Sequence, residues 1–167
     1  MAVDHDLRRG DFLLSSPYEP RFYSRLIRAV TGSEWTHAAL YMGDGQVAEA
    51  LNGGMVYSDI ERFNGSYRLG LCRLPDATAH DREHIARAMG GFVLVNVGYG
   101  WLDVVYVALR RWGIPAPYRG ERRLFCSEAV VLAAALGGHL SIAEKEPGDT
   151  TPGDLARFIY RTIDTKG

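Results

Sequence analysis

The rhythm of apolar and polar positions changes along the chain, and the change divides it in two. Residues 11–15 (DFLLS) follow Gly10 as a short apolar run and predict a strand. Residues 20–31 place Phe22, Leu26, Ile27 and Val30 at helical spacing, with Gly32 positioned to stop the helix. The runs THAALYM and QVAEAL flank GDG, a hairpin signal. Further strands are predicted at 55–58 and 67–74, so the middle of the chain reads as an antiparallel meander. After residue 78 the period lengthens. Ile85, Ala86, Met89 and Val93 mark a helix over 79–95, in which Gly90 and Gly91 signal either a kink or close packing. WLDVVYVALRRW predicts a helix over 101–112, closed by Gly113 and Pro115 and followed by a Pro-, Gly- and Arg-rich loop over 113–124. The helix over 127–136 is apolar on every side and therefore belongs inside the domain. A last helix is expected from Thr151 and Pro152, with Pro at its favoured first position, through Leu155, Phe158 and Ile159. Strands first and helices afterwards predict an α+β domain.

Composition narrows the classes. The chain has 167 residues, which suits one domain with one core, and no repeat or linker divides it, so a single domain over 1–167 is expected. With 47% hydrophobic residues, 23% charged residues and a net charge of −1, it gives no reason to expect nucleic acid or an anionic membrane as a partner. No apolar run is long enough for a membrane span. The opening MAVDHDLRRGD lacks the apolar core of a secretory signal, so the chain is expected to be cytoplasmic as synthesised, with virion association or delivery to the periplasm by a non-standard route as its further destinations. Cys72 and Cys126 do not resemble a disulfide framework, and two cysteines with five scattered histidines argue against a zinc cage.

Candidate chemistry concentrates at RRLFCSEAV. Cys126 stands at the N-terminal edge of the apolar helix, where free N–H groups and the helix dipole favour an anion and so lower a thiol pKa. The competing reading is packing, because cysteine is among the most buried residue types. Glu128, in the first helical turn, has a capping role. A nucleophilic cysteine needs a base and a group to orient that base. His5, His80, His84 and His139 all read as solvated surface residues. His37 differs, because it opens an apolar strand.

The hairpin then tests Glu49. A two-residue loop of Asp44 and Gly45 pairs Leu40 with Glu49 and turns Glu49 away from His37. A three-residue loop changes the parity. With Gly43, Asp44 and Gly45 in the loop, Ala39 faces Glu49, and Glu49 becomes a diagonal neighbour of His37 on the same face. Only such an odd register lets the two act as base and orienter.

RRGDFLLSS, EWTHAALYMGDGQVAEA, LFCSEAV and TTPGDLARF together resemble the permuted NlpC/P60 families of papain-like thiol hydrolases, in particular the YiiX/YebB-like group. The resemblance spans residues 9–158. It implies Cys126 as nucleophile, His37 as base and Glu49 as the group orienting the imidazole, with the Cys following the His as in the permuted branch. It implies an antiparallel sheet carrying the His, packed on a central helix carrying the Cys. It also suggests that Tyr99 or Asp103 lines the cleft, although helix packing and capping explain both equally well. Trp35 walls the site or belongs to the core. Arg122 and Arg123 raise the local potential or form a solvated loop face.

The expected activity is cleavage of an amide or peptide bond through an acyl-enzyme, with the Cys126 N–H stabilising the oxyanion and no metal or organic cofactor. Peptidoglycan stem peptides are the expected substrate. Delivery as part of a phage tail or through a secretion assembly would take a leaderless enzyme to the wall. The alternatives are an amidase or acyltransferase on a small acylated metabolite or lipid, and a non-catalytic structural subunit of a larger assembly. Cleft shape is expected to be set by loops 15–20, 59–66 and 113–124.

Overall fold

The computed structural model describes residues 6–51, 53–99, 106, 109–110, 113–115, 123–142 and 146–166. It is an α+β fold built on a six-stranded antiparallel sheet. The strands are β1 (Phe12–Pro17), β2 (His37–Gly43), β3 (Gln46–Leu51), β4 (Gly54–Asp59), β5 (Tyr67–Cys72) and, after the short parallel pair β6 (Gly98–Tyr99) and β7 (Arg123–Leu124), β8 (Ile159–Asp164). Their spatial order is β4-β3-β2-β1-β5-β8. Helices α1 (Phe22–Thr31), α2 (Ala79–Leu94) and α3 (Cys126–Leu136) accompany them. No helix among the described residues is long and apolar enough to cross a membrane.

Strand alternation divides the core. Phe12, Leu14, Ala38, Leu40, Met42 and Ala48 face α2 and α3 and pack with Ile85, Met89, Ala129 and Val130. Leu13, Ala39, Tyr41, Val47, Leu69 and Leu71 face the other way, where Ile60 and Phe63 of a 3-10 turn cover them. Because α3 is apolar all round, it lies on β2 and β3 with α2 against it. Thr78 and Asp81 form a reciprocal capping box that starts α2. The helix runs unbroken through Gly90. A Cβ there would lie 2.9 Å from Tyr57 Oη, so close packing explains the residue. Trp35 is core, buried in the helix-side cluster over Gly70.

The C-terminus departs from expectation. Leu155 and Phe158 sit in a 3-10 turn (Asp154–Phe158), and the chain then extends as β8 instead of continuing as a helix. The spacing of Leu155, Phe158 and Ile159 suits a helix, but it covers little more than one turn. Beyond it, Ile159, Thr162 and Ile163 are β-branched and favour a strand. β8 pairs along the otherwise open edge of β5, with Leu69 opposite Ile163 and Leu71 opposite Arg161. Of the helix expected over 101–112, only Tyr106, Leu109 and Arg110 lie among the described residues, and all three are helical.

Gly10 joins the N-terminal segment to β1 at φ +88, and a Cβ there would lie 2.5 Å from the Arg82 carbonyl oxygen on α2. Backbone conformation and space both exclude a side chain. Gly10→Ala is expected to cost more than about 2 kcal/mol of stability, measured by denaturant unfolding.

Candidate active site

The β2–β3 hairpin determines which side chains meet. Asp44 (φ 52) and Gly45 (φ 74) form a two-residue turn in the left-handed region, where Asp and Gly are tolerated best. Gly43 pairs with Gln46 across it, but the register shifts between Tyr41 and Gly43. This bulge changes the parity, so that Ala39 lies opposite Glu49. The turn is the two-residue one, and the pairing beyond the bulge is the odd one. Glu49 therefore shares a face with His37, and its Oε2 lies 2.7 Å from His37 Nε2.

Glu49 is fully buried, whereas the His37 side chain keeps 20% of its surface. The other carboxylate oxygen accepts from Arg62 Nη1, and Ser58 also hydrogen-bonds the group. Burial raises the Glu49 pKa. The His37 hydrogen bond and charge, with Ser58 and Arg62, outweigh burial and take the carboxyl from its ordinary 4.5 down to about 2.

Nε2 is committed to Glu49, which leaves Nδ1 as the ring nitrogen for Cys126. The thiol and the imidazole are hydrogen-bonded. His37 is the first residue of β2 and Cys126 the first of α3, so the contact forms where a strand end meets a helix mouth. Burial opposes charge on both groups. For Cys126, the nearby His37 charge and hydrogen bond, with N–H bonds from Ala38 and Ser127, reverse that effect and hold the thiol below its ordinary range. For His37, the Cys126 thiolate and the hydrogen bonds to Cys126 and Glu49 overcome burial, and the imidazole rises from 6.5 to about 10. Each group thus favours the charged form of the other: the thiol is pushed toward thiolate and the imidazole toward imidazolium.

The remaining sequence candidates lie elsewhere. His80 and His84 are exposed on α2 with their rings 4.3 Å apart, and His139 lies 3.5 Å from Asp81. Glu128 accepts from the Phe125 N–H at 3.4 Å and caps α3. Cys72 is a free, buried thiol in β5, and burial pushes its pKa up. His5, Asp103 and Arg122 lie outside the described residues, as do the side chains of Tyr99 and Arg123. No group of three or more metal-binding side chains occurs among the described residues.

Sequence reasoning missed Arg62 and Ser58. Ser58 was within reach of it, because it pairs with Val47 and so stands two residues along β4 from the position opposite Glu49. Arg62 lies in a 3-10 turn with no periodic signal.

A cavity of about 810 Å³ opens beside the imidazole. Residues of loops 15–20 and 59–66 line it, among them Ser15, Tyr18, Arg62 and Ser66. Most of loop 113–124 lies outside the described residues.

No family model matches the chain. It is 26% identical, over 178 aligned positions covering 90% of its length, to the Escherichia coli (strain K12) protein named probable lipoprotein peptidase YaeF. The chain spans 63% of the length of that curated relative. This chain is therefore similar to a protein assigned to peptidase chemistry.

Proposed function

We propose that the chain is a cysteine hydrolase that cleaves an amide or peptide bond through Cys126, His37 and Glu49, on a papain-like fold of the permuted NlpC/P60 type. The observation that carries this reading is the imidazole held between a buried carboxylate and a thiol at a helix mouth. The resemblance in the sequence motifs and the similarity to a probable peptidase point the same way.

The Cys126 thiolate attacks the carbonyl carbon, and the π electrons move to oxygen. The oxyanion accepts from the Cys126 N–H, which lies in the first helical turn, where N–H groups lack an intrahelical acceptor. The His37 imidazolium then gives its proton to the leaving nitrogen as the C–N bond breaks, leaving a thioester. Neutral His37 next takes a proton from water, whose oxygen attacks the thioester. Collapse releases a carboxylic acid and restores the thiolate. Glu49 fixes the ring and stabilises its charge throughout. The choice of peptidoglycan stem peptides as substrate rests on the family resemblance.

Alkylation by iodoacetamide across pH tests the reading. Cys126 is expected to react with an apparent pKa well below the free-thiol value of about 8.5 and to lose that reactivity in His37→Ala. Cys72 is expected to stay unlabelled in the folded protein. A Cys126 that titrates like a free thiol in both forms would remove the ion pair and the mechanism with it.

A further inference from the structure

The cavity beside His37 has two features that the hydrolytic residues do not use. The first is Ser15. It lines the cavity, it is 1% exposed, and its Oγ has no hydrogen-bond partner. Ser15 pairs directly with His37 across β1 and β2, so both side chains project on the same face. A buried hydroxyl without a partner loses its hydration and gains nothing in return.

The second feature is charge. Glu49 and the thiolate offset the charges of Arg62 and His37 at the back of the cavity. Arg21 and Lys166 also line it; the Lys166 charge helps to lower the Asp164 carboxyl, and no salt bridge within 4.0 Å engages either cation among the described residues. The Lys166 ammonium lies 4.7 Å from the Tyr18 ring centre, which holds it near the wall. Glu19 is the acid among the described lining residues. The cavity thus combines an excess of positive charge with an unused O–H donor.

We infer that this cavity is a subsite for a carboxylate-bearing part of the substrate, held by the Ser15 hydroxyl and the charges of Arg21 and Lys166. The staggered χ1 rotamers of serine give the hydroxyl alternative directions in which to meet a ligand. His37 borders the cavity and hydrogen-bonds Cys126, so a carboxylate bound here sits within a side chain's reach of the scissile bond. The inference rests on the hydrolase reading for its meaning in catalysis, but the binding site stands on its own geometry.

The test is a titration of the full chain with N-acetylglycine and with its neutral amide, N-acetylglycinamide, followed by the His37 ring resonances in NMR. The carboxylate is expected to bind at least about tenfold more tightly than the amide, with the preference shrinking at high salt. Ser15→Ala is expected to weaken carboxylate binding about tenfold. The surface double variant Arg21→Gln/Lys166→Gln, which leaves the core untouched, is expected to weaken it several-fold and to leave amide binding unchanged. Equal binding of the two probes, no binding of the carboxylate, or a carboxylate Kd within twofold of wild type in both variants overturns the assignment. Failure of the hydrolase reading shows separately, as a Cys126 inert to iodoacetamide in a protein that still binds the carboxylate.

Discussion

Cys126→Ala is expected to lower amide hydrolysis by about 10⁴-fold or more, because the other residues of a nucleophile–base–orienter set contribute little once the nucleophile is gone. The substitution also has a physical readout that needs no substrate. The Cys126 thiolate is the foremost influence that raises the His37 pKa. Without it, burial acts against the imidazolium with only Glu49 in support, and the His37 pKa is expected to fall from about 10. NMR titration of the ring follows that fall directly. Folding is expected to survive, since alanine is a good helix former and the thiol contributes one small side chain to the helix-side cluster. Cys126→Ser separates shape from ionisation: it keeps the hydrogen bond to His37 and lacks an anion at neutral pH. Full activity in either variant would exclude Cys126 as the nucleophile.

Glu49→Gln is the second large effect, with two consequences of different origin. On activity, a loss of about 10³- to 10⁴-fold is expected, because the amide cannot stabilise the imidazolium and favours the wrong tautomer. On stability, the effect depends on pH. The folded carboxyl has a pKa of about 2 against an ordinary 4.5, so the folded state binds its proton more weakly than the unfolded state does. Its contribution is complete above about pH 4.5 and is lost as pH falls through 2. The difference corresponds to about 3 kcal/mol. Wild type is therefore expected to lose stability between pH 4.5 and 2 more steeply than Glu49→Gln, as measured by urea unfolding at a series of pH values. Parallel curves for the two proteins would show that the carboxylate gains nothing from its partners. Arg62 is the first residue to vary next, because it shares Glu49 with His37 from the opposite oxygen.

The members of the candidate site were legible in the sequence wherever a local break in pattern marked them. His37 interrupts an apolar strand, and Cys126 stands where a basic loop meets an apolar helix. Whether Glu49 faces His37 was not legible, because it depends on parity across the hairpin. The bulge between Tyr41 and Gly43 that decides the parity is a choice of backbone geometry among several that GDG allows. Arg62 was hidden for a different reason. It reaches Glu49 from a turn after β4, a contact set by tertiary placement alone. β8 was misread because its helix-like spacing is short and its pairing partner, β5, lies far back in the chain. Burial of an open sheet edge overrode the local signal there.

The order of the elements has a consequence for the chain while it is being made. His37 and Glu49 belong to one hairpin and meet through a short loop, whereas Cys126 arrives long after both have left the ribosome. Contacts close in sequence form quickly, and those that close long loops wait. Until α3 docks on the sheet, the nascent thiol has no imidazole beside it and ionises like any free cysteine. On the proposed reading, the thiol therefore gains its activating partner only through a long-range step of folding that follows closure of the hairpin.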